Sequence, residues 1–140
     1  MTLYCYIDGS CMGNPGDAGF GIVVKDKNDD ILEIYGDYIG DATNNIAEYQ
    51  ALISCLELVK KYNMDRLIIY SDSQLVVNQI KGLYKVKKEH LKKLFDKVQN
   101  IMYDASYKIK IIHVPREKNK EADKLAKMAI QLKAKITEFD

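Results

Sequence analysis

The sequence predicts an α/β fold built on one mixed sheet of five strands, with the first three strands antiparallel, the others parallel and helices on both faces. Two observations lead to this prediction. Three β-rich runs follow one another over residues 1–39 with only short links, and short links join antiparallel neighbours. From residue 45 onward, stretches with helical periodicity alternate with two further β-rich runs, an order that produces parallel strands with right-handed crossovers.

The first three strands are predicted from runs of aromatic and β-branched residues. Leu3–Ile7 forms the first run, and the Gly-Asn-Pro-Gly segment at 13–16 then supplies turn residues. Phe20–Val24 and Ile31–Ile39 form the second and third runs, separated by the polar segment Asp26–Asp30. Hairpin links between these runs make the three strands antiparallel.

Apolar residues recur at three- and four-residue steps between Asn45 and Tyr62, which predicts an amphipathic helix. Asn45 and Glu48 have the spacing of a capping box at its start. The periodic spacing of apolar residues predicts the remaining elements, with Gly82 and Pro115 marking where elements end. These are, in order, a strand at Arg66–Tyr70, a short helix at Leu75–Ile80, a longer helix at about Lys88–Tyr103, a strand at Lys108–Val114 and a closing helix through Ala122–Ile130.

Length and composition predict one soluble domain that spans residues 1–140. The 140 residues are 47% hydrophobic, enough for a single core. The N-terminal segment reaches Asp8 before a signal-peptide core could develop, so we expect an unprocessed protein. Cys5, Cys11 and Cys55 are odd in number and lack metal-ligand spacing. This argues against a disulfide framework or a zinc site and favours a reducing cytoplasm.

Charge alone does not identify a partner. The formal net charge is only +1, which does not by itself favour a nucleic-acid ligand. Lysines are nevertheless concentrated between Lys81 and Lys97. The simplest interpretation of this basic stretch is a solvated helix face.

Four carboxylates stand near the ends of predicted elements. Asp8 and Asp72 each follow a β-rich run, at the strand edge where open α/β sheets bind ligands. Glu48 falls in the first turn of its predicted helix and Asp123 in or near the first turn of the last, where the helix dipole favours negative charge. Taken singly, each is most simply a turn former or a capping residue. Together, on one side of a sheet, they indicate a metal site.

The donor set indicates which metal. Carboxylate oxygens with no Cys or His among them suit Mg²⁺ or Mn²⁺. Two such ions about 4 Å apart can clamp an in-line phosphoryl displacement.

Four sequence strings resemble the motifs of type 1 ribonucleases H, in the same order. They lie within a region, Thr2–Leu132, that is similar to the family as a whole, and together they are far more specific than any one alone. The strings are DGSCMGNPG at Asp8–Gly16 followed by Gly19–Gly21, TNNIAE at Thr43–Glu48, SDSQ at Ser71–Gln74 and NKEADKLA at Asn119–Ala126.

This resemblance implies a ribonuclease H-like fold and endonucleolytic hydrolysis of the RNA strand of RNA–DNA hybrids, leaving a 5′-phosphate and a 3′-hydroxyl. It also implies that two ions are held by the four carboxylates. By resemblance, Asp8 bridges both ions, Glu48 and Asp72 complete the site near the leaving group, and Asp123 serves the ion that activates water.

The resemblance also implies a set of substrate contacts. Amide and hydroxyl side chains can read sugar hydroxyls and base edges in a wide minor groove. Without the resemblance, Asn14 would be interpreted as a turn residue, and Asn44 and Asn45 as helix caps. We expect a monomer whose partner is the hybrid, with double-stranded RNA as a second candidate. The implied contacts are Cys11, Asn14, Asn44, Asn45 and Gln74, with Thr43 nearest a phosphate of the DNA strand.

The chain departs from the family in two places. It has no Trp, and residues 81–97 form no basic protrusion of the kind with which some members grip the DNA strand. Many members carry a histidine in a loop before the last aspartate, and His113 has the matching ten-residue spacing. Because it lies inside a predicted strand, on the face of Ile109 and Ile111, we interpret it as a packed core residue. Arg116, just past Pro115, is the predicted functional loop residue. His90 is predicted to lie at the surface.

Two other functions stay open at this point. One is a module of the same fold that binds hybrid or double-stranded RNA without cutting, although all four carboxylates are present. The other is a different nuclease of this superfamily, such as a recombinase or an exonuclease, although the Asp8–Gly21 segment and the Asn44–Asn45 pair are not expected there. A purely structural role is the weakest alternative.

Overall fold

The computed structural model describes residues 1–139, and the side chains of residues 1–138. No helix in this part of the chain is long and apolar enough to cross a membrane. The strands are β1 (Thr2–Gly13), β2 (Gly16–Lys25), β3 (Ile31–Ala42), β4 (Arg66–Ser71), β5 (Lys108–His113) and β6 (Ile136–Phe139). The helices are α1 (Asn44–Leu58), α2 (Gln74–Ile80), α3 (Glu89–Asp104) and α4 (Lys120–Leu132).

All of the strands join one mixed sheet, in the order β5-β4-β1-β2-β3-β6. The first three strands are antiparallel neighbours, and β4 and β5 extend the sheet in parallel from β1. The predicted fold class is therefore confirmed. The predicted count of five strands is wrong, because β6 pairs antiparallel with β3 at the edge. The turn before β6 has no glycine to mark it in the sequence. Lys133 adopts the left-handed conformation, with φ 48°, at a position where Gly usually follows a helix.

The first strand is longer than predicted. It continues past Ile7 because its antiparallel pairing with β2 runs on to Gly13, while its parallel pairing with β4 stops at Ile7 opposite Ser71. Asp8 therefore does not end a strand. It is instead the first residue of β1 beyond the parallel part of the sheet, level with the end of β4, after which Asp72 follows.

The start of α1 also differs from the prediction. Its N-cap is Thr43, whose Oγ1 accepts a hydrogen bond from the Ile46 N–H at 3.3 Å. The capping box proposed for Asn45 and Glu48 is therefore wrong, and Glu48 lies beyond the first turn. Thr, Asn and Asn follow one another here, and all three types are good caps. Local sequence could not decide which residue caps the helix.

Helices cover both faces of the sheet, as predicted. Leu3, Cys5 and Ile7 point into the core that α1 and α3 close on one face. On the other face α4 lies against β2, where an added Cβ at Gly21 would be 2.3 Å from the Ala122 carbonyl oxygen. This absence of a side chain allows α4 to approach the sheet closely.

We predict that Gly21→Ala destabilises the protein by about 3 kcal/mol, the upper end of the usual range for overpacking, because backbone must move. Gly36→Ala should cost only about 1 kcal/mol, since its nearest neighbour is Leu125 Cγ at 3.0 Å, a side-chain atom. Urea unfolding of both variants measures the difference. Equal stabilities would contradict the close approach at Gly21.

Candidate metal centre and adjoining cleft

Three carboxylates converge where β1 and β4 part. Asp8, Glu48 and Asp72 each place one oxygen within 4.8 Å of the others. Asp8 and Asp72 arrive from neighbouring parallel strands, and Glu48 arrives from α1. Both Asp8 and Glu48 are buried, whereas Asp72 is half-buried. Carboxylates crowded in this way repel one another unless protons or cations intervene.

The fourth carboxylate, Asp123, joins this group from the first turn of α4. It lines the same cleft as Asp8, Glu48 and Asp72, and its charge contributes to the raised pKa of Asp8. Its Oδ2 also accepts an ion-pair hydrogen bond from Lys127 Nζ at 3.0 Å. The structure thus brings together all four carboxylates that the sequence singled out.

Glu48 is held in place by a glycine. The Gly9 N–H donates to Glu48 Oε1 at 2.9 Å. A Cβ at Gly9 would be 2.3 Å from the Glu48 backbone nitrogen, so only glycine allows α1 to lie this close to β1. The carboxyl group is therefore positioned by backbone contact, which is a rigid attachment.

Burial and mutual repulsion strongly perturb two of these groups. Burial, with the charges of Glu48, Asp72 and Asp123, raises the pKa of Asp8 to about 10. Burial also raises the pKa of Glu48 to about 8, with Asp72 adding to the shift and the Gly9 N–H and Arg116 opposing it. Without a cation, both groups hold protons near neutral pH.

The donors present fit a hard divalent cation. Glu48 Oε2 is buried and has no hydrogen-bond partner among the described residues, and an unpaired buried carboxylate oxygen is unfavourable. The candidate ligand atoms in the cluster are all carboxylate oxygens, the ligand type that Mg²⁺, Mn²⁺ and Ca²⁺ share.

The carboxylates line a cleft of about 430 Å³. Arg116 and Lys127 bring positive charge to it. Such a cleft could hold a phosphodiester between the Arg116 and Lys127 side chains and the metal ions that the carboxylates would bind. Its other lining residues are Gly9, Ser10, Cys11, Asn44, Asn45 and Ser73.

The proposed substrate contacts divide into three groups. Cys11, Asn44 and Asn45 line the cleft, and Asn14 is tied to it because its Oδ1 accepts from the Asn44 N–H at 3.1 Å. Thr43 lines a second cleft, of about 230 Å³, whose other lining residues are Asn14, Asn45, Lys88, His90 and Leu91. Gln74 is exposed at the start of α2 and lies in neither cleft.

The structure decides where His113 and Arg116 lie. His113 is in β5, as predicted, but it is exposed, so the packed-core interpretation is wrong. His113 is the last residue of β5, which is an edge strand of the sheet. Arg116 follows Pro115 in a short 3-10 helix, Arg116–Lys118, and faces the cleft. His90 is exposed, as predicted.

Sequence reasoning did not assign a role to several residues of the site. Lys127 follows Asp123 by four residues on one helix, a spacing that could have identified it. Ser10 Oγ donates to Asp8 Oδ2 at 3.2 Å. Asn119 is buried and contacts both β1 and Asp72, and no local pattern distinguishes it from an ordinary helix cap.

This sheet order, with carboxylates at the edge between β1 and β4, defines a ribonuclease H-like α/β domain. A family model described as reverse transcriptase-like matches residues 6–129. Ribonuclease HI of Halobacterium salinarum is 37% identical over 128 residues, which cover 91% of this chain and 64% of that protein. A bifunctional protein of Mycobacterium tuberculosis is 38% identical over 141 residues, which cover 100% of this chain and 38% of its own length.

Solved structures agree. The crystal structure of LC11-RNase H1 in complex with an RNA/DNA hybrid superimposes with a TM-score of 0.89 at 40% identity, covering 93% of this chain and 97% of that one. The chain belongs to the type 1 ribonuclease H family.

We predict that the metal-free protein loses stability as pH rises. The folded state has raised pKa values at Asp8 and Glu48, so it binds protons more tightly than the unfolded state. The stabilisation from these protons is complete below about pH 4, the usual pKa of both carboxyl groups in the unfolded chain. It is lost as pH rises through the folded pKa values of about 8 for Glu48 and about 10 for Asp8.

Asp8→Asn should therefore raise the melting temperature at pH 8 in EDTA by roughly 3–6 °C, or about 1 kcal/mol, and should flatten the pH dependence. Calorimetry across the pH range checks both effects. Asp96→Asn, the same change at an exposed position of α3, is the matched control and should leave the melting temperature unchanged. A wild type that grows steadily more stable from acid to alkaline pH would show that the cluster is not electrostatically strained.

Proposed function

We propose that this protein is a metal-dependent ribonuclease H that cuts the RNA strand of RNA–DNA hybrids internally. The observation that carries the proposal is the convergence of four carboxylates in one cleft with the amides of Asn44 and Asn45. Clustered carboxylates of this kind can hold the metal ions that hydrolyse phosphodiesters. The two amides suit a minor groove in which a 2′-hydroxyl distinguishes RNA from DNA. The similarity to a structure solved with bound hybrid supports the same assignment.

Asp8, Glu48, Asp72 and Asp123 would hold the metal. We propose Mg²⁺, with Mn²⁺ as an alternative, and two ions per site. When bound, the ions would activate water and neutralise charge on the phosphate in the transition state. No side-chain nucleophile is then required.

The other residues of the cleft bind and orient the substrate. Asn44 and Asn45 donate and accept hydrogen bonds at sugar and base edges, and Cys11 lies beside Asn44, with its Sγ 3.0 Å from Asn44 Oδ1. Arg116 would hold the scissile phosphate and ease release of the charged product, because a guanidinium offers several N–H donors to phosphate oxygens and no acceptor. In the second cleft, Thr43 would lie nearest a phosphate of the DNA strand. Asn14 beside it, and Gln74 at the start of α2, would contact the hybrid.

We further propose that residues 1–140 form a single domain acting as a monomer in the cytoplasm. Double-stranded RNA is a second candidate substrate. The H. salinarum and M. tuberculosis relatives are longer than the matched region, and the activity assigned here concerns the matched region alone.

The purified protein should cut the RNA strand of a labelled hybrid in Mg²⁺, leave a DNA duplex intact, and become inactive in EDTA. Asp72→Asn should lose activity by about a thousandfold, because it removes one ligand from a site that supplies several kcal/mol of transition-state stabilisation. Denaturing gels with hybrid, RNA duplex and DNA duplex as substrates check these outcomes.

Asp96→Asn, exposed on α3, is the control for this substitution and should cut like the wild type. Robust cleavage of the DNA duplex would assign the protein to another nuclease class. Hybrid binding without cleavage under any divalent ion would favour the non-cutting module.

Arg116→Ala should reduce kcat by about tenfold, equivalent to about 1.4 kcal/mol, without abolishing cleavage. His113→Ala should have a smaller effect, because Arg116 lines the cleft and His113 does not. Single-turnover and steady-state rates of both variants measure the difference, with thermal unfolding as the stability control. A greater loss in His113→Ala at equal stability would show that its spacing to Asp123 was the better guide.

A further inference from the structure

Asn119 connects the elements that carry three of the four carboxylates. It immediately precedes α4 and is only 1% exposed. Its Nδ2 donates to the carbonyl oxygen of Ile7, the residue before Asp8, at 2.8 Å. The same Nδ2 lies 3.4 Å from Asp72 Oδ2, and the Asn119 backbone oxygen accepts from the Asp123 N–H at 3.1 Å.

Chemistry determines the orientation of this amide. A peptide carbonyl and a carboxylate both accept hydrogen bonds, so the NH₂ group must face them. The Oδ1 of Asn119 then lies on the other side, where it is buried and has no partner among the described residues. An unsatisfied buried acceptor typically costs about 1–3 kcal/mol, so the protein retains an energetically unfavourable group here.

This side chain does not cap its own helix. Asn before a helix ordinarily accepts from an N–H of the first turn, and such a bond contributes about 1 kcal/mol. Asn119 makes no side-chain capping bond to α4. Its amide instead crosses to the end of the parallel pairing between β1 and β4, which places its contacts at the site and not in the helix.

The contact to Asp72 restricts that carboxylate. With Oδ2 held by an N–H donor, rotation about the Asp72 side chain is limited, which fixes the direction of its other oxygen. The contacts to Ile7 and Asp123 place the backbone on either side of the same cluster. A ligand set held in this way loses less freedom when a cation binds.

We propose that Asn119 is a positioning residue that sets the relative places of Asp8, Asp72 and Asp123 for cation binding. The inference rests on the proposed function, because it takes these carboxylates to be the metal ligands. Asn119 acts through them and touches neither the phosphate nor the reacting water.

Two variants separate positioning from a merely structural role. Asn119→Ala removes the amide. Asn119→Ser removes it too and leaves a short hydroxyl, which does not cap α4 at this backbone conformation of φ −124° and ψ 26°. Both variants should therefore lose some stability in EDTA. If Asn119 served only the fold, both variants would still bind Mn²⁺ like the wild type at temperatures where they are folded. If Asn119 positions the ligands, the Ser variant should lose as much Mn²⁺ affinity and activity as the Ala variant, because a short hydroxyl cannot reach both Ile7 and Asp72.

Calorimetric titration with Mn²⁺ is the primary measurement, with thermal unfolding in EDTA alongside. Both variants should bind Mn²⁺ about tenfold more weakly than the wild type, the usual effect of removing a residue that orients metal ligands. In Mg²⁺, kcat should fall while KM for the hybrid stays within about twofold, since an orienting residue that makes no substrate contact acts on the chemical step rather than on binding.

Tyr62→Phe is the matched control. It removes a hydrogen bond from Tyr62 to Glu33 Oε1 at 2.7 Å, beyond the opposite end of α1 from Glu48, and should lower stability without changing Mn²⁺ affinity. An Asn119→Ser variant with wild-type Mn²⁺ affinity and kcat would falsify the inference. A wild type that binds Mn²⁺ but cuts no hybrid would instead overturn the proposed function, and the titrations of the variants would still decide the role of Asn119.

Discussion

Mutual repulsion among buried carboxylates is the constraint on which the rest of this structure depends. Asp8 and Glu48 are buried beside Asp72 and Asp123, and the pKa values of Asp8 and Glu48 are raised as a result. Left to themselves these groups would separate or draw in water. They stay together because Asp8, Glu48 and Asp123 lie in regular elements and Asp72 directly follows β4, and these elements are fixed elsewhere by the core and the sheet. The packing of the protein thus stabilises an arrangement that local electrostatics opposes.

Two glycines make this attachment possible from opposite faces of the sheet. Gly9 lets α1 approach β1 closely enough to hydrogen-bond Glu48, and Gly21 lets α4 approach β2. Gly21 pairs with Asp8, the neighbour of Gly9 along the strand. Both helices therefore reach the sheet at the same level, and this is the level at which the carboxylates meet.

Sequence patterns predicted the helices and strands from the periodic spacing of their apolar residues. They also singled out the four carboxylates near the ends of those elements. The two carboxylates that follow β-rich runs do converge, because Asp8 lies in β1 and Asp72 directly follows the neighbouring strand β4. Much of what the patterns missed depends on tertiary contact. The edge strand β6 pairs with β3, far back along the chain, and no local pattern marks it. The extension of β1 depends on its hairpin with β2. Three good capping residues in succession left the N-cap of α1 undecided. His113 is exposed at the end of the edge strand β5, although alternation along the strand placed it on the face of the buried Ile111.

The unequal lengths of the strands explain why the proposed metal ligands and the proposed substrate contacts share one cleft. Beyond Ile7 the chain of β1 has no β4 partner, yet it continues as a hairpin with β2 to Gly13. The end of the parallel pairing exposes the carboxylates to the cleft. The hairpin that continues brings Cys11 and Asn14 against Asn44 at the start of α1. A single strand therefore carries the proposed central metal ligand and, three residues further on, the first proposed substrate contact. A shift of that strand by one residue would turn Asp8 to the other face of the sheet and disrupt both at once.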